Sequence, residues 1–451
     1  MSLASRTPSV TPTHDMAGSG MSIRRVATNS AWLIGDKVVR LGLGLVVTVW
    51  LARHFGPEAF GVWNYTIAFV AFFGAVAMLG MDGVLVRELV REGADAGALL
   101  GTAMLMRLVA ATSLAVLATL LMAWIRPDEA LPVLLVACNA AMLVFQTSQV
   151  LDYHFQARMH SRPSVVAANI AYMAAMLLRL ALLAIDAPIA WFGATLVIEA
   201  ALAALLLWRA WVRDNDAELR WRWHGPTARM LLRESWPLIL SSMAVVIYMR
   251  VDQVMLAAMV GDAEVGQFSA ALRIAEVWYF IPISIATAAF PVIVARRAEG
   301  EAVYEAYVQR LYDLMAWMGI GVALLIVALA PIFVPMLYGS AYAQATSVLQ
   351  VQAWAGIAVA LSVVHSRWLL AEGLQRYGLY YTAAGAALNV TLNLLLIPDH
   401  GALGAAWATV VTQIGLLPIQ LLFPRARRNF VLMMRTLTAP WRAAKSLGAR
   451  H

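Results

Sequence analysis

Residues 236–260 read WPLILSSMAVVIYMRVDQVMLAAMV, an apolar run in which the charged side chains are Arg250 and Asp252. A run of this length spans the roughly 30 Å hydrocarbon core of a bilayer as one helix. The rest of the chain is similar, since 62% of its 451 residues are hydrophobic and 13% are charged. A soluble domain carries about 25% charged residues. The sequence therefore predicts an all-α integral membrane protein.

Apolar runs of spanning length recur along the chain and predict twelve transmembrane helices. Their boundaries are 32–52, 60–80, 98–124, 131–151, 164–185, 187–211, 236–260, 266–295, 311–338, 343–370, 378–397 and 401–423. Loops between them are short, which leaves no room for an independent domain outside the membrane.

The basic residues predict the orientation of these spans. The N-terminus, the even-numbered loops and the C-terminus, together with the adjoining span ends at Arg209 and Arg367, hold 25 of the 33 basic residues. The odd-numbered loops hold Arg53 and Arg126. Cytoplasmic loops carry the excess of Lys and Arg, so both termini are predicted to be cytoplasmic. The charge lies at membrane boundaries, which argues against a nucleic-acid partner.

Two six-helix lobes follow from the loop lengths and from weak internal repeats. Gly56 and Gly61 match Gly261 and Gly266 at an offset of 205, and residues 194–195 match 408–409 at an offset of 214. Repeats of this kind are common in transporters. The predicted organisation is an extension (1–21), an N-lobe with spans 1–6 (22–211), a cytoplasmic loop (212–235), a C-lobe with spans 7–12 (236–423) and a basic cytoplasmic tail (424–451). The extension is expected to be disordered or to lie before the natural start. The tail is either an interfacial helix or a plain charge cluster.

Charged residues more than three positions from the ends of the predicted spans indicate a polar interior. The basic ones are Lys37, Arg40, Arg107, Arg179, Arg250 and Arg273, and the acidic ones are Asp36, Glu199, Asp252 and Glu276. A charge at the centre of a span costs about 2.5–3.5 kcal/mol on insertion scales. The excess of positive charge predicts a cavity for an anionic cargo, lined by the five arginines. A structural network of ion pairs would give the same composition, and Lys37 is equally well placed to snorkel to the headgroups.

The spacing of these charged residues along each helix indicates which of them can form ion pairs. Arg250 and Asp252 are two residues apart and point to nearly opposite faces, whereas Arg273 and Glu276 are three apart and can pair. Glu199 stands alone in an apolar span, so Glu199 and Asp252 are candidates for H⁺ or Na⁺ coupling. Asn389 and Asn393 share a face and suit either sugar contacts or hydrogen bonds between helices.

Enzymatic chemistry is not indicated. The histidines are scattered, and no phosphate-binding Gly-x4-Gly-Lys-Ser/Thr loop is present, which excludes an intrinsic ATPase. With a single cysteine, Cys138, neither an internal disulfide nor a metal cluster is expected. We predict no catalytic residue, no bound metal and no organic cofactor.

Several short motifs are distributed along the whole chain. They are residues 29–32, 52–61, 87–89, 250–256, 337–339 with Tyr342 and Ala345, and 389–398 with Gly401, 404–406 and 408–409. Together they resemble bacterial polysaccharide-biosynthesis flippases of the Wzx-like branch of the multidrug/oligosaccharidyl-lipid/polysaccharide (MOP) exporter superfamily. Gln413 departs from the family, which commonly has a glutamate there.

The resemblance implies a MATE-like fold of two six-helix lobes and alternating-access transport of undecaprenyl-diphosphate-linked oligosaccharide across the bacterial inner membrane, for O-antigen, capsule or exopolysaccharide synthesis. It implies polysaccharide polymerase and glycosyltransferases as partners. A multidrug exporter of the same superfamily is the first alternative. A membrane polysaccharide polymerase or ligase is less well supported, because the outer loops are short.

Overall fold

The computed structural model describes the backbone of residues 19–214 and 220–438, and the side chains of 40–214 and 220–436. Residues 1–18 of the predicted extension, the side chains of Asp36 and Lys37, and residues 439–451 of the tail lie outside this description. The chain divides into two compact units, Met1–Val46 and Val47–His451. The first contains the beginning of helix α1, and the second contains all the remaining helices.

Every regular element in the described residues is helical, as the composition predicts. The helices are α1 (Ser19–Ala77), α2 (Asp82–Val90), α3 (Ala96–Ile125), α4 (Ala130–Gln146), α5 (Gln149–Ala157), α6 (Arg162–Ala184), α7 (Ile189–Arg213), α8 (Gly225–Met259), α9 (Asp262–Val277), α10 (Phe280–Glu299), α11 (Glu301–Tyr338), α12 (Ala343–Ala371), α13 (Gln375–Leu416) and α14 (Arg427–Met434). A helix satisfies its own backbone polar groups, which the bilayer cannot do.

Ten helices in the described part are long and apolar enough to cross a membrane. Two of them, α1 and α13, are broken by glycines with non-helical backbone angles, Gly56 and Gly401. Gly56 falls in the first predicted outer loop, and Gly401 directly follows the last one. They explain why adjacent predicted spans run on as one element. The count of twelve spans stays a prediction.

Helix α8 connects the two halves of the second unit, which we call the N-terminal half (residues 47–213) and the C-terminal half (225–436). The predicted loop at 212–235 is shorter in the structure, since α8 already begins at Gly225. Ala228, Leu231 and Ser235 are buried, and Leu231 packs in one core cluster with Met81. The first three turns of α8 therefore belong to the core of the N-terminal half.

The tail begins with a short helix, α14, that packs against protein. Leu432 and Met433 are buried in the same cluster as Tyr312, and Asn429 accepts a hydrogen bond from the Tyr312 hydroxyl at 3.0 Å. The described part of the tail is thus helical at Arg427–Met434, with Leu432 and Met433 packed against protein. Whether the tail is an interfacial helix or a plain charge cluster stays a prediction.

Candidate functional site

A buried polar cluster lies in the C-terminal half, around the carboxylate of Asp252 on α8. Asn393 donates to Oδ1 of Asp252 at 2.5 Å, and the Thr409 hydroxyl lies 3.0 Å from Oδ2. Asn389 completes the group, accepting from the Asn393 amide at 3.1 Å. Asp252 is 5% exposed, Asn389 1% and Asn393 0%. Asp252 forms no ion pair with any Arg, Lys or His whose side chain is described.

This arrangement favours binding of a proton or a small cation. A buried carboxylate without a cationic partner is unstable as a bare charge and is neutralised by a proton or a counter-ion. The cluster offers carboxylate, amide and hydroxyl oxygens, the ligand type that hard cations take. One of them, Oδ1 of Asn393, is buried without a hydrogen-bond donor. The Asn393–Asp252 bond joins α13 to α8, which is the predicted alternative of hydrogen bonds between helices. Sugar contacts by Asn389 and Asn393 stay a prediction.

The matching position in the N-terminal half holds a different cluster. Arg179 on α6 donates to the Thr195 hydroxyl and to Oε2 of Glu199 on α7, both at 2.9 Å. Arg179 and Glu199 form an ion pair whose side chains are 11% and 27% exposed. The expectation that Glu199 stands alone is wrong, because a neighbouring helix supplies its partner.

The two clusters are related by the repeat seen in the sequence. At the offset of 214, Thr195 corresponds to Thr409 and Arg179 corresponds to Asn393. Glu199 corresponds to Gln413, which explains why the C-terminal half takes its carboxylate from another helix.

Arg107 also has partners. It is fully buried, donates to the Tyr153 hydroxyl at 3.2 Å and lies 3.9 Å from the Asp82 carboxylate. Tyr153 in turn donates to Asp82 at 2.5 Å. A helical side chain leans toward the N-terminus of its helix, and this tilt carries Arg107 from mid-span to the short helices α2 and α5. In this conformation Arg107 is a core residue of the N-terminal half.

Arg250 and Arg273 differ from the other buried arginines. Each is half-buried, and neither makes a hydrogen bond or an ion pair with a side chain or carbonyl in the described residues. Arg250 lies within electrostatic range of both Arg273 and Glu276. The predicted Arg273–Glu276 ion pair does not form, and the three residues together carry one net positive charge.

Arg40 belongs to the first compact unit. It has an interaction partner, and its role as a cavity residue stays a prediction.

The family assignment rests on sequence. The family model for polysaccharide biosynthesis protein matches residues 26–296, more than half of the chain. The chain belongs to this polysaccharide biosynthesis family. A second model, MatE, matches residues 237–395. No curated protein sequence matches the chain.

Solved structures show the fold of this family member. It is similar to the lipid II flippase MurJ in an inward closed conformation, with 14% identity, a TM-score of 0.66 and 90% of each chain covered. An inward-facing multidrug resistance MATE family transporter of the MOP superfamily matches with 15% identity and a TM-score of 0.61, over 88% of this chain and 96% of that one. The eukaryotic MATE transporter AtDTX14 matches with 13% identity and a TM-score of 0.57, over 91% and 99%.

These likenesses confirm several predictions. The chain is a multi-pass membrane protein with the all-helical fold of the MOP superfamily. The family and the structural neighbours are transporters and flippases, so the prediction of a non-enzymatic function is confirmed.

One group of residues was missed by the sequence reasoning. Arg126, counted above only as a loop charge, donates to the Asp262 carboxylate from both terminal nitrogens of its guanidinium group. The available signal was the repeated Gly-x4-Gly motif, because Asp262 follows the first glycine of its second copy.

Proposed function

We propose that the chain flips undecaprenyl-diphosphate-linked oligosaccharide across the bacterial inner membrane by alternating access, for O-antigen, capsule or exopolysaccharide synthesis. The family description and the fold shared with a lipid II flippase support this substrate class. The orientation with both termini in the cytoplasm follows from the arginine distribution. Polysaccharide polymerase and glycosyltransferases are the expected partners in the pathway.

The observation that carries this proposal is the pair Arg250 and Arg273. Two guanidinium groups without hydrogen-bonded partners are costly inside a membrane protein. A diphosphate compensates them with bidentate, charge-assisted hydrogen bonds, which arginine forms better than lysine does. Arg107 and Arg179 already form hydrogen bonds to side chains within the protein. The argument for an anionic cargo therefore depends on Arg250 and Arg273.

The Asp252 cluster supplies the driving force in this proposal. A proton or Na⁺ bound among Asp252, Asn393 and Thr409 neutralises the carboxylate. Its release to the other side of the membrane would then drive the conformational cycle. The cluster and Arg250 both lie on α8, two residues apart in sequence and on nearly opposite faces. Ion and cargo therefore act on the same helix without sharing a site.

Substitution of the two arginines tests the cargo site. We expect Arg250→Ala and Arg273→Ala each to reduce surface polysaccharide about tenfold or more, since a hydrogen bond to a charged group contributes about 1.5–3 kcal/mol. Arg250→Lys and Arg273→Lys should recover part of it, because charge remains but the bidentate geometry is lost. The measurement is surface polysaccharide together with lipid-linked oligosaccharide accumulated in the inner leaflet.

Arg296→Ala is the matched control, since this arginine pairs only with Glu299 one turn away and is exposed. Its export should equal that of the native chain. Normal export by both alanine variants, inserted at native levels, would refute the cationic cargo site.

A multidrug exporter is the second candidate, favoured by the MatE match to residues 237–395. Cationic drugs require an acidic site, and Asp252 is the one buried acid without a cationic partner in the described part of the C-terminal half. Efflux of a cationic dye that Asp252→Asn abolishes, in cells with intact polysaccharide export, would favour this candidate.

A further inference from the structure

The two copies of the Gly-x4-Gly motif meet in the structure. Gly56 has φ 75° and ψ 174°, and Gly261 has φ 104° and ψ 170°. Each glycine thus takes the same left-handed conformation, which a side chain disfavours, and a helix resumes at the next residue. The motif therefore sets the starting direction of two helical segments, residues 57–77 of α1 and helix α9.

These segments cross at the second glycine of each motif. A Cβ on Gly61 would overlap the carbonyl of Asp262, and a Cβ on Gly266 would overlap the carbonyl of Pro57. The offset of 205 relates Gly61 to Gly266 and Pro57 to Asp262, so the repeat exchanges the two contacts. The crossing is therefore self-complementary, as in an interface with twofold symmetry. Small residues let two helices touch backbone to backbone. Separating the halves at this point breaks both contacts together.

Asp262, one of the residues at this crossing, also forms an ion pair with Arg126. Nη1 of Arg126, just after α3, lies 2.6 Å from Oδ2 of Asp262, and Nη2 lies 3.0 Å from Oδ1. The side chains are 12% and 13% exposed, and the guanidinium stacks on the Tyr65 ring at 4.6 Å. Burial alone would lower the pKa of Arg126, but Asp262, together with Glu129 and Tyr65, outweighs this effect and raises the pKa above its usual value.

Further bonds between the halves lie on the same side. The Tyr342 hydroxyl donates to the carbonyl of Ala52 at 2.8 Å, and Arg53 donates to the carbonyl of Met336 at 3.4 Å. By the positive-inside orientation this side is extracytoplasmic. Arg53 and Arg126, the two basic residues of the odd-numbered loops, are thus both used to join the halves.

The crossing lies on the same face of α9 as Arg273, one of the two residues of the proposed cargo site. Asp262, Gly266, Ser269 and Arg273 follow one another at intervals of four, three and four residues, and therefore share one helix face. Ser269 is buried, with its hydroxyl unpartnered. This face runs from the ion pair, past Ser269, to Arg273.

We propose that the Gly61–Gly266 crossing and the Arg126–Asp262 pair form the extracytoplasmic gate of the transporter. The gate is closed in this structure, and the ion pair must break for cargo to leave. The inference rests on the proposed transport function, but its test measures the gate without measuring transport.

The test uses the full chain with Cys138→Ala and a reporter, Ser269→Cys, labelled by a membrane-impermeant maleimide. Labelling is measured separately in right-side-out and in inverted membrane vesicles. Arg126→Ala should raise the labelling rate from the extracytoplasmic side about tenfold, the effect of 1.4 kcal/mol on the opening equilibrium. The charge-exchanged double variant Arg126→Asp with Asp262→Arg should label at the rate of the unmodified gate.

Glu129→Ala is the matched control. Glu129 is the other acid bound to Arg126, at 3.1 Å, but it belongs to the N-terminal half, so its loss should leave labelling unchanged. Equal rates for Arg126→Ala and Glu129→Ala, or faster labelling from the cytoplasmic side, would overturn the gate. Arg250→Ala and Arg273→Ala that export normally would instead refute the cargo proposal and leave the gate unaffected.

Discussion

The polar clusters of the two halves share a threonine and differ in everything that surrounds it. Thr195 in the N-terminal half accepts from Arg179, which also binds Glu199. Thr409 in the C-terminal half lies against Asp252. The first cluster contains a cation and an anion, and the second contains an anion with neutral amide and hydroxyl partners.

This difference indicates how a repeat acquires two roles. In the N-terminal half the acid is on the last helix, as Glu199, and the position equivalent to Asp252 at the offset of 205 is Val47. In the C-terminal half the acid is on α8, and the position equivalent to Glu199 is Gln413. A self-compensated pair stabilises packing, whereas an uncompensated carboxylate requires a proton or cation. We infer that ion coupling belongs to the C-terminal half.

The largest expected effect comes from removing the uncompensated charge. Asp252→Asn keeps the size and the hydrogen-bonding capacity of the side chain but needs no counter-ion. We expect gradient-driven transport to fall about 100-fold, equivalent to about 2.7 kcal/mol, with little loss of thermal stability. The measurement is uptake of lipid-linked oligosaccharide in proteoliposomes under a pH gradient or a Na⁺ gradient, and the gradient that loses its effect identifies the ion.

Asp252→Glu is the control for this variant, since it retains the charge and should retain part of the coupling. Transport by Asp252→Asn that still follows the imposed gradient would refute ion binding at this cluster.

An intermediate effect, on stability, is expected in the N-terminal half. Glu199→Gln leaves the Arg179 guanidinium without its carboxylate. Breaking a fully buried pair costs 3–5 kcal/mol, and because Glu199 is 27% exposed we expect about 2 kcal/mol, measured by thermal unfolding in detergent. The response to the ion gradient should not change.

The double variant Arg179→Met with Glu199→Gln removes both charges and should recover most of that stability. If Glu199→Gln instead abolishes the gradient response at native stability, the two halves do not divide their roles in this way.

Much of the fold was accessible from the sequence, because hydrophobic length and arginine placement are local properties. The apolar runs correctly predicted a helical membrane protein, and the motifs at 250–256 and 389–398 correctly predicted the superfamily. Continuity across Gly56 and Gly401 was not predictable, since it depends on how a left-handed glycine directs the next helix. The burial of α14 also depends on tertiary contacts, with Tyr312 more than a hundred residues away.

For the candidate site, the sequence predicted which residues belong to it but not which residues they contact. Spacing along one helix correctly separated Arg250 from Asp252, but wrongly paired Arg273 with Glu276 and left Glu199 alone. Their actual partners lie on other helices: Glu199 pairs with Arg179, and Arg107 lies near Asp82. The pattern of residues within one span cannot predict contacts of this kind. The repeat offset was the one long-range signal, and it joined Thr195 to Thr409 and Gly61 to Gly266 before their surroundings were known.

The smallest expected effect uses those two threonines as a matched pair. Valine has the shape of threonine without the hydroxyl, so Thr195→Val and Thr409→Val each remove the hydrogen bond to the charged residue of the cluster, worth about 1 kcal/mol. In the N-terminal half the loss falls on Arg179, which retains Glu199, and only the melting temperature should decrease. In the C-terminal half the loss falls on Asp252 and its ion, so the ion concentration for half-maximal transport should rise about fivefold.

The comparison also has to account for the bond that each threonine makes within its own helix. The hydroxyl of Thr409 lies 3.0 Å from the carbonyl of Ala405, and that of Thr195 lies 2.7 Å from the carbonyl of Phe192. The single hydroxyl hydrogen of Thr409 is shared between Asp252 and Ala405, whereas that of Thr195 is donated to Phe192. Both variants lose the local contact, so a difference in ion dependence between them arises from Asp252. Equal ion dependence in the two variants would mean that Thr409 does not contact the ion, and would narrow the binding group to Asp252, Asn389 and Asn393.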